Sequence, residues 1–346
     1  MEVRNPRHPR GQQIKTMTQK TKVLVTGSAG FVAHQVIDYF LQHTDYEIVA
    51  LDGLTYAGSL ERITGLESYQ REKDRVKFVY WNLRSPINEY AAEKIGQVDY
   101  ILHLAANSSV EQTIKFPVES VFDNVLATVN VLEFARTQKN LKLMNYFSTD
   151  EVYGPAPEGV NFDENAPHRP SNPYSAGKAG GEDYCHAYYT TYQLPVFITN
   201  TMNCIGPSQH NEKYVPTIVR SIVNGETLKV YSDKEKQKAG SRFWIFVPDV
   251  ASALLFLLDR ASPGEKYHIV GIEKNNLDLA KEIAMIAGKD LKYEMHDFHS
   301  SRAGHDLRYG MSGEKLAKMG WKSTTQSFDE SLKSTVLWYL SEYGKN

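Results

Sequence analysis

Lys22 to Ala33 read KVLVTGSAGFVA, an apolar run that passes through Gly27 and Gly30 directly into a helical pattern. Only small residues suit the turn of such a strand-to-helix corner. Gly27 permits the tight bend, Gly30 lets backbone approach a pyrophosphate, and Ala33 allows close helix packing, while the helix N-terminus faces negative charge. Phe31 and Val32 open that helix and join Gly27 and Gly30 as candidate dinucleotide contacts. Taken alone, the pattern also fits a plain glycine-rich turn.

The next strand supplies context. EIVAL at 47 to 51 ends beside Asp52, where an acidic side chain accepts hydrogen bonds from adenosine ribose hydroxyls and repels a 2′-phosphate. This favours NAD over NADP, with Asp52 as a turn residue the plainer alternative. Outward from this corner, KVLVT (22 to 26), VKFVY (76 to 80), YILHL (100 to 104), MNYFS (144 to 148) and VFITN (196 to 200) read as further strands. Helical patterns fill the gaps at Phe31 to His43, Pro86 to Ile95, Pro117 to Thr137 and Pro173 to Thr191. Strands apolar on both faces, alternating with helices, predict an α/β fold with a doubly wound parallel sheet.

After about Asn203 the elements shorten and mix, with helices near Val215 to Asn224, Val250 to Leu258, Leu277 to Ala287 and Phe328 to Glu342. The expected division is a disordered basic arm at 1–20, a Rossmann domain at 21–203, and a smaller mixed α/β substrate-binding region at 204–346. The chain is expected to cross back near 240–260.

Composition excludes several classes. With 39 basic and 41 acidic residues in 346, the net charge of -2 offers no global field for nucleic acid or an anionic membrane. Cys185 and Cys204 are too few for a disulfide framework and lack zinc-ligand spacing, so no metal is expected. No stretch has the length and apolarity of a membrane span. These features together predict a soluble, cytoplasmic protein.

Tyr174 and Lys178 stand at i and i+4 on one helix face, where the ammonium stabilises phenolate for base catalysis. Tyr69 with Lys73 and Tyr90 with Lys94 share the spacing. Position selects Tyr174, because its helix follows the strand ending at Ser148, whose C-terminal edge is where sheet enzymes bind ligands. At that edge FSTDEVYG sets Thr149, Asp150 and Glu151 in succession. Two carboxylates there serve as a helix cap or as an acid and base. In the second reading, oxidation of a sugar carbon acidifies the adjacent C–H, one carboxylate removes that proton, and the other protonates a departing hydroxyl.

From residue 22 to 342 the chain resembles the extended short-chain dehydrogenase/reductases, and among them the dTDP-glucose 4,6-dehydratases. LDGLTYAGSLERI, HLAANSSVEQTI, STDEVYG, NPYSAGKAGGEDY, EKYVP, SRFWIFVPDVA and RAGHDLRY carry the resemblance in order. It implies NAD as cofactor, with Leu104, Ala105 and Ala106 along its path and Lys178 on the nicotinamide ribose. It implies Tyr174 as oxidation base, Thr149 on the 4-hydroxyl, Asp150 as acid and Glu151 as base. A nucleotide-sugar substrate would meet Ser109, Asn203, Lys213, Arg242, Arg302 and His305. Transient oxidation at carbon 4, water loss across carbons 5 and 6, and hydride return to carbon 6 would regenerate NAD. The resemblance further implies a homodimer joined through the helices at Pro117 to Thr137 and Pro173 to Thr191.

Departures bear on the substrate. Ser28, Ala33 and Asn82 replace frequent family residues on the cofactor side, whereas Asn107, Ser108, Asn200, Met202 and Phe243 do so on the substrate side. UDP-, CDP- and GDP-linked sugars therefore stay open beside dTDP-glucose. A nucleotide-sugar 4-epimerase would share the fold, NAD, Tyr174 and Lys178 but has little use for Asp150 and Glu151. A non-catalytic NAD-binding regulator is the alternative from another class.

Overall fold

In the computed structural model, residues 20–55, 57–298, 306–325 and 327–344 are described. Residues 1–19 of the basic arm expected at 1–20, and the candidates Arg302 and His305, lie outside them.

Seven parallel strands form the main sheet. They are β1 (Lys22–Thr26), β2 (Glu47–Asp52), β3 (Val76–Tyr80), β4 (Tyr100–His103), β5 (Leu143–Thr149), β6 (Val196–Thr201) and, later in the chain, β10 (Lys266–Ile269). Their order is β10-β6-β5-β4-β1-β2-β3, each neighbour in parallel register. The chain winds outward from β1 through β2 to β3, then returns to place β4 on the other side of β1. That reversal opens a crevice at the C-terminal ends of β1 and β4, where open sheets bind ligands.

Helices cover both faces because the strands are apolar on both. The helix Phe31–His43 buries Ala33, Val36, Ile37, Phe40 and Leu41, the spacing of one helical face. It packs against helix Val247–Leu258, whose Val250, Leu254 and Leu257 share the same core. Full burial of each large side chain contributes roughly 1.5 to 3 kcal/mol.

Two helices differ from the sequence pattern. The one expected from Pro86 begins at Glu89, because Asn88 caps it by accepting from the Ala91 N–H at 3.0 Å. The stretch Pro117 to Thr137 is not one α-helix: a π-helical turn, Phe122–Leu126, separates Pro117–Val121 from Ala127–Arg136.

Beyond residue 203, β7 (Asn203–Ile205), β9 (Ser241–Phe246) and β11 (Ile272–Asn275) form a small mixed sheet, and β8 (Leu228–Ser232) pairs with β12 (Tyr293–Asp297). Helices Tyr214–Asn224, Asn276–Ala287 and Phe328–Tyr343 close a separate core around Ile218, Val219, Leu279, Ile283, Leu332 and Val336. Between these pieces, helix Val247–Leu258 and β10 return to the main sheet, so the second region is discontinuous in sequence. No described helix is long and apolar enough to cross a membrane.

Candidate active site

β1 ends in the turn that fixes the crevice. Gly27 has φ 67°, and a Cβ there would lie 2.7 Å from the Ala105 Cα on the opposite wall. Any side chain at 27 would therefore collide with backbone as well as strain the turn. The helix that follows has Gly30 as its cap and no side-chain cap, which leaves its first N–H groups for an anion.

Asp52, buried at the end of β2, accepts from the Ala29 N–H at 2.9 Å and the Leu54 N–H at 2.6 Å. It thus ties the glycine turn to the loop after β2 while still facing the cavity. Burial pushes its carboxyl upward, against hydrogen bonds from Leu54 and Ala29.

That cavity, about 500 Å³, runs from Gly27, Gly30, Phe31, Val32 and Asp52, past Leu104, Ala105 and Ala106, to Thr149, Glu151, Tyr174 and Lys178. It continues between Asn203, Lys213, Tyr214 and Trp244. One crevice therefore joins the dinucleotide corner to the Tyr/Lys helix and the second region.

The Tyr/Lys helix, Pro173–Tyr192, starts on a capping box: Asn172 Oδ1 accepts from Ser175 N–H at 2.9 Å, and Ser175 Oγ accepts from Asn172 N–H at 3.2 Å. Pro173 at the first helical position fixes its entry. Burial drives the Lys178 ammonium down to about 8, opposed by the charge of Glu182. Its Nζ lies 4.2 Å from the centre of the Tyr146 ring. Burial, and then the Glu151 charge, push the Tyr174 phenol well above its ordinary range. The free enzyme consequently holds Tyr174 as a neutral phenol.

Thr149 ends β5, and its hydroxyl accepts from the Glu151 N–H at 3.3 Å while donating to Asp150 Oδ1 at 3.1 Å. This caps a single 3-10 turn, Asp150–Tyr153. Gly154 closes it at φ 72°, against the Arg169 carbonyl, where a side chain has no room. Asp150 is buried and its Oδ2 has no hydrogen-bond partner. Burial and the neighbouring Glu151 charge raise its carboxyl to about 7. Burial likewise raises Glu151, whose Oε2 accepts from Asn172 Nδ2 at 3.1 Å. A proton-holding acid beside a second carboxylate can supply acid and base together.

The substrate-side candidates separate. Asn203 and Lys213 line the cavity, with Lys213 Nζ donating to the Ser108 carbonyl at 2.8 Å. Ser109 and Arg242 do not line it. The Ser109 hydroxyl caps helix Val110–Lys115, accepting from the Gln112 N–H at 3.4 Å. Arg242 donates to the carbonyls of Ser241 (2.7 Å), Leu307 (2.8 Å) and Asp306, and stacks 4.7 Å from the centre of the Tyr309 ring. Ser109 is spent on a helix cap, whereas the Arg242 charge also reaches Asp150 and Glu151 and works against the rise that burial gives both carboxyls.

Some contributors are invisible to sequence spacing. His103 is fully buried between Thr26 Oγ1 (2.7 Å) and Thr128 Oγ1 (3.1 Å), and burial lowers it to about 3, so it stays neutral. Thr128 gives its proton to the Asn124 carbonyl at 2.7 Å, so His103 donates through Nε2 and accepts from Thr26 through Nδ1. It fixes Thr26, whose hydroxyl also receives the Ala105 N–H at 3.3 Å. The contact of Asn172 Nδ2 with Glu151 is another.

Residues 23–272 match the NAD dependent epimerase/dehydratase family. The chain is 36% identical to the low-salt glycan biosynthesis protein Agl12 of Haloferax volcanii, over 92% of this chain and 99% of that protein. It is 34% identical to a dTDP-glucose 4,6-dehydratase of Escherichia coli, over 92% and 94%. Among solved structures it is similar to the dTDP-glucose 4,6-dehydratase DesIV of Streptomyces venezuelae with NAD bound: TM-score 0.85, 32% identity, 94% of this chain and 98% of the other. It is also similar to the UDP-glucose 4-epimerase of Thermus thermophilus in complex with NAD: TM-score 0.83, 27% identity, 92% and 99%.

Proposed function

The chain belongs to the NAD dependent epimerase/dehydratase family, and from that premise we propose that it is a nucleotide-sugar 4,6-dehydratase, with dTDP-glucose the first candidate substrate. The observation that carries this choice over epimerisation is the Asp150–Glu151 pair on the turn beside Tyr174. An epimerase needs a base at carbon 4 but no second acid and base. The cofactor is NAD, as in the dehydratase and epimerase structures this chain resembles.

The residues present fit that cofactor: Gly27 leaves no Cβ in the crevice, the uncapped helix at Gly30 offers N–H groups, and Asp52 faces the cavity. Tyr174, once it has given up its own proton, takes the proton of the sugar 4-hydroxyl, which Thr149 orients. When bound, NAD would supply the hydride acceptor for carbon 4 and, once reduced, the hydride donor for carbon 6. The resulting ketone acidifies the carbon 5 proton, which Glu151 removes. Asp150 protonates the carbon 6 hydroxyl, which leaves as water. Glu151 gives its proton back to carbon 5, the product is a 4-keto-6-deoxy sugar, and exchange with water moves the proton gained by Tyr174 to the Asp150 that lost one, resetting both groups.

The test is mass spectrometry of dTDP-, UDP-, CDP- and GDP-hexoses incubated with the protein. Loss of one water and a 4-keto-6-deoxy product is expected from at least one. Clean epimer without mass change would overturn the reading.

Asp52→Ala is expected to weaken NAD binding by roughly 10- to 100-fold, about 1.4 to 2.7 kcal/mol, by titration calorimetry. Unchanged affinity would remove Asp52 from the cofactor site. A melting curve beside it reports the lost anchors at Ala29 and Leu54.

In this reading residues 21–203, with the returning helix and β10, hold the cofactor, and most of 204–346 faces the sugar nucleotide. Two buried free cysteines, Cys185 and Cys204, support a cytoplasmic setting. A homodimer is supported by Val118, Val121 and Phe122 (62%, 53% and 44% exposed) and by Tyr184 (45%), exposed apolar side chains on the two helices expected to form it. Apolar side chains of this kind, where they form one patch, call for a partner. Val118→Glu with Val121→Glu is expected to yield monomer in sedimentation; an unchanged oligomer, or a monomeric wild type, would exclude this interface.

A further inference from the structure

Tyr174, Lys178 and Glu182 stand at successive four-residue steps on helix Pro173–Tyr192, and Lys178 and Glu182 are buried against the sheet. Glu182 is bonded on both oxygens. Oε1 accepts from Ser148 Oγ at 2.5 Å and Asn200 Nδ2 at 2.6 Å; Oε2 lies 2.7 Å from Lys266 Nζ and 3.0 Å from His168 Nε2. Asn200 Nδ2 also donates to the Thr149 carbonyl at 3.1 Å. Ser148 directly precedes Thr149 in β5. One carboxylate thus contacts the strand end carrying the Thr-Asp-Glu turn and sits one helical turn from Lys178.

We propose that Glu182 is a positioning residue of the proposed dehydratase site, its carboxylate joining the strand end that carries the Thr149 turn to the Tyr174–Lys178 helix and placing a negative charge one helical turn from Lys178. The proposal rests on the roles read for Tyr174 and Lys178 above. A buried ion pair adds little net stability over apolar packing. What an apolar side chain could not supply is negative charge one turn from Lys178, whose burial favours the neutral amine. Lys178 is faced by the Tyr146 ring from β5, by His103 from β4, and by Cys185 from its own helix, with Tyr174 one helical turn before it. Glu182 is faced by Lys266 from β10 and by His168, whose Nδ1 lies 3.3 Å from Asp183. Lys266 also lies over the Tyr153 ring, whose hydroxyl meets His268 beside Glu164. Glu182 is the group that opposes the burial of Lys178 most strongly, and hydrogen bonds from His168, Lys266 and Ser148 overcome its own burial to hold it near 2.

Glu182→Gln alone would strand the Lys266 cation, so the comparison is K266M against E182Q/K266M, with E182D/K266M as the charge-conserving control. Without Glu182, Lys178 loses its proton at lower pH and the Tyr174 phenolate forms at higher pH. The double variant is expected to lose kcat about tenfold at neutral pH and progressively more above it, with KM little changed. An ultraviolet difference titration, with the Y174F spectrum subtracted, should place the Tyr174 phenolate at higher pH in E182Q/K266M, and E182D/K266M should restore both readouts. Loss by one factor at every pH with an unmoved phenolate titration, or loss that follows melting temperature in the aspartate control as well, would overturn the proposal. Turnover surviving in Y174F would instead overturn the reading of the reaction.

Discussion

Tyr174→Phe is expected to lower kcat by roughly 10²- to 10⁴-fold while leaving KM and NAD affinity nearly unchanged. The phenol oxygen is asked to act only once the 4-hydroxyl begins to lose its proton, so its removal costs the transition state and spares the ground state. The electrostatics make the demand specific. In the free protein, burial and Glu151 keep Tyr174 protonated, and Lys178 is the cation on its helix able to offset them. Lys178→Met should therefore move the rising limb of the pH–rate curve to higher pH, in addition to lowering its plateau. Steady-state kinetics across pH measure both. Turnover within tenfold of wild type in Y174F would assign the oxidation base elsewhere.

The fold was legible where local patterns and burial agree. Helix Phe31–His43 was readable because its apolar face repeats at helical spacing and glycine marks its start. Strands β1 and β2 were readable because parallel strands covered on both faces must be continuously apolar, and β3, at the sheet edge with Lys77 and Tyr80 exposed, from its β-branched and aromatic residues. Proline misled once: Pro86 suggested a helix start that Asn88 provides three residues before Ala91. The π-helical turn at Phe122–Leu126 left no mark in spacing, since it changes the register of a helix without changing its composition.

The site was legible as far as it was local. Thr149, Glu151, Tyr174 and Lys178 line one cavity with Gly27 and Asp52. The contacts that tune them join distant strands, and no spacing reveals Lys266 against Glu182 or Asn172 against Glu151. Substitutions relative to the family also change meaning. Asn200 and Phe243 suggested an altered nucleotide, yet neither lines the cavity. Asn200 binds Glu182 and the Thr149 carbonyl from beneath the turn. Asn107, Ser108 and Met202 do line it.

Asp150→Asn is expected to separate activity from stability in opposite directions. Burial and Glu151 hold the native Asp150 carboxyl near 7, against an ordinary value of 3.8. The folded protein therefore binds this proton more tightly than the unfolded chain. Its stabilising contribution is full below about 3.8 and is lost as pH rises to about 7, above which the buried charge must be accommodated. Asparagine removes that charge, so at pH 8 the variant should gain stability, at most roughly 4 kcal/mol, read as a higher Tm that converges with wild type in acid. As the proposed general acid, Asp150 must carry its proton, so wild-type kcat should fall as pH rises through about 7. The variant should lose that limb together with roughly 10²- to 10³-fold of kcat. Glu151 remains able to take the carbon 5 proton, so substrate recovered from heavy water should carry deuterium at carbon 5 with no water lost. Wild-type turnover in Asp150→Asn, or a surviving limb near neutral pH, would move the acid role to another group, and Glu151 with its Asn172 contact would be the first to examine.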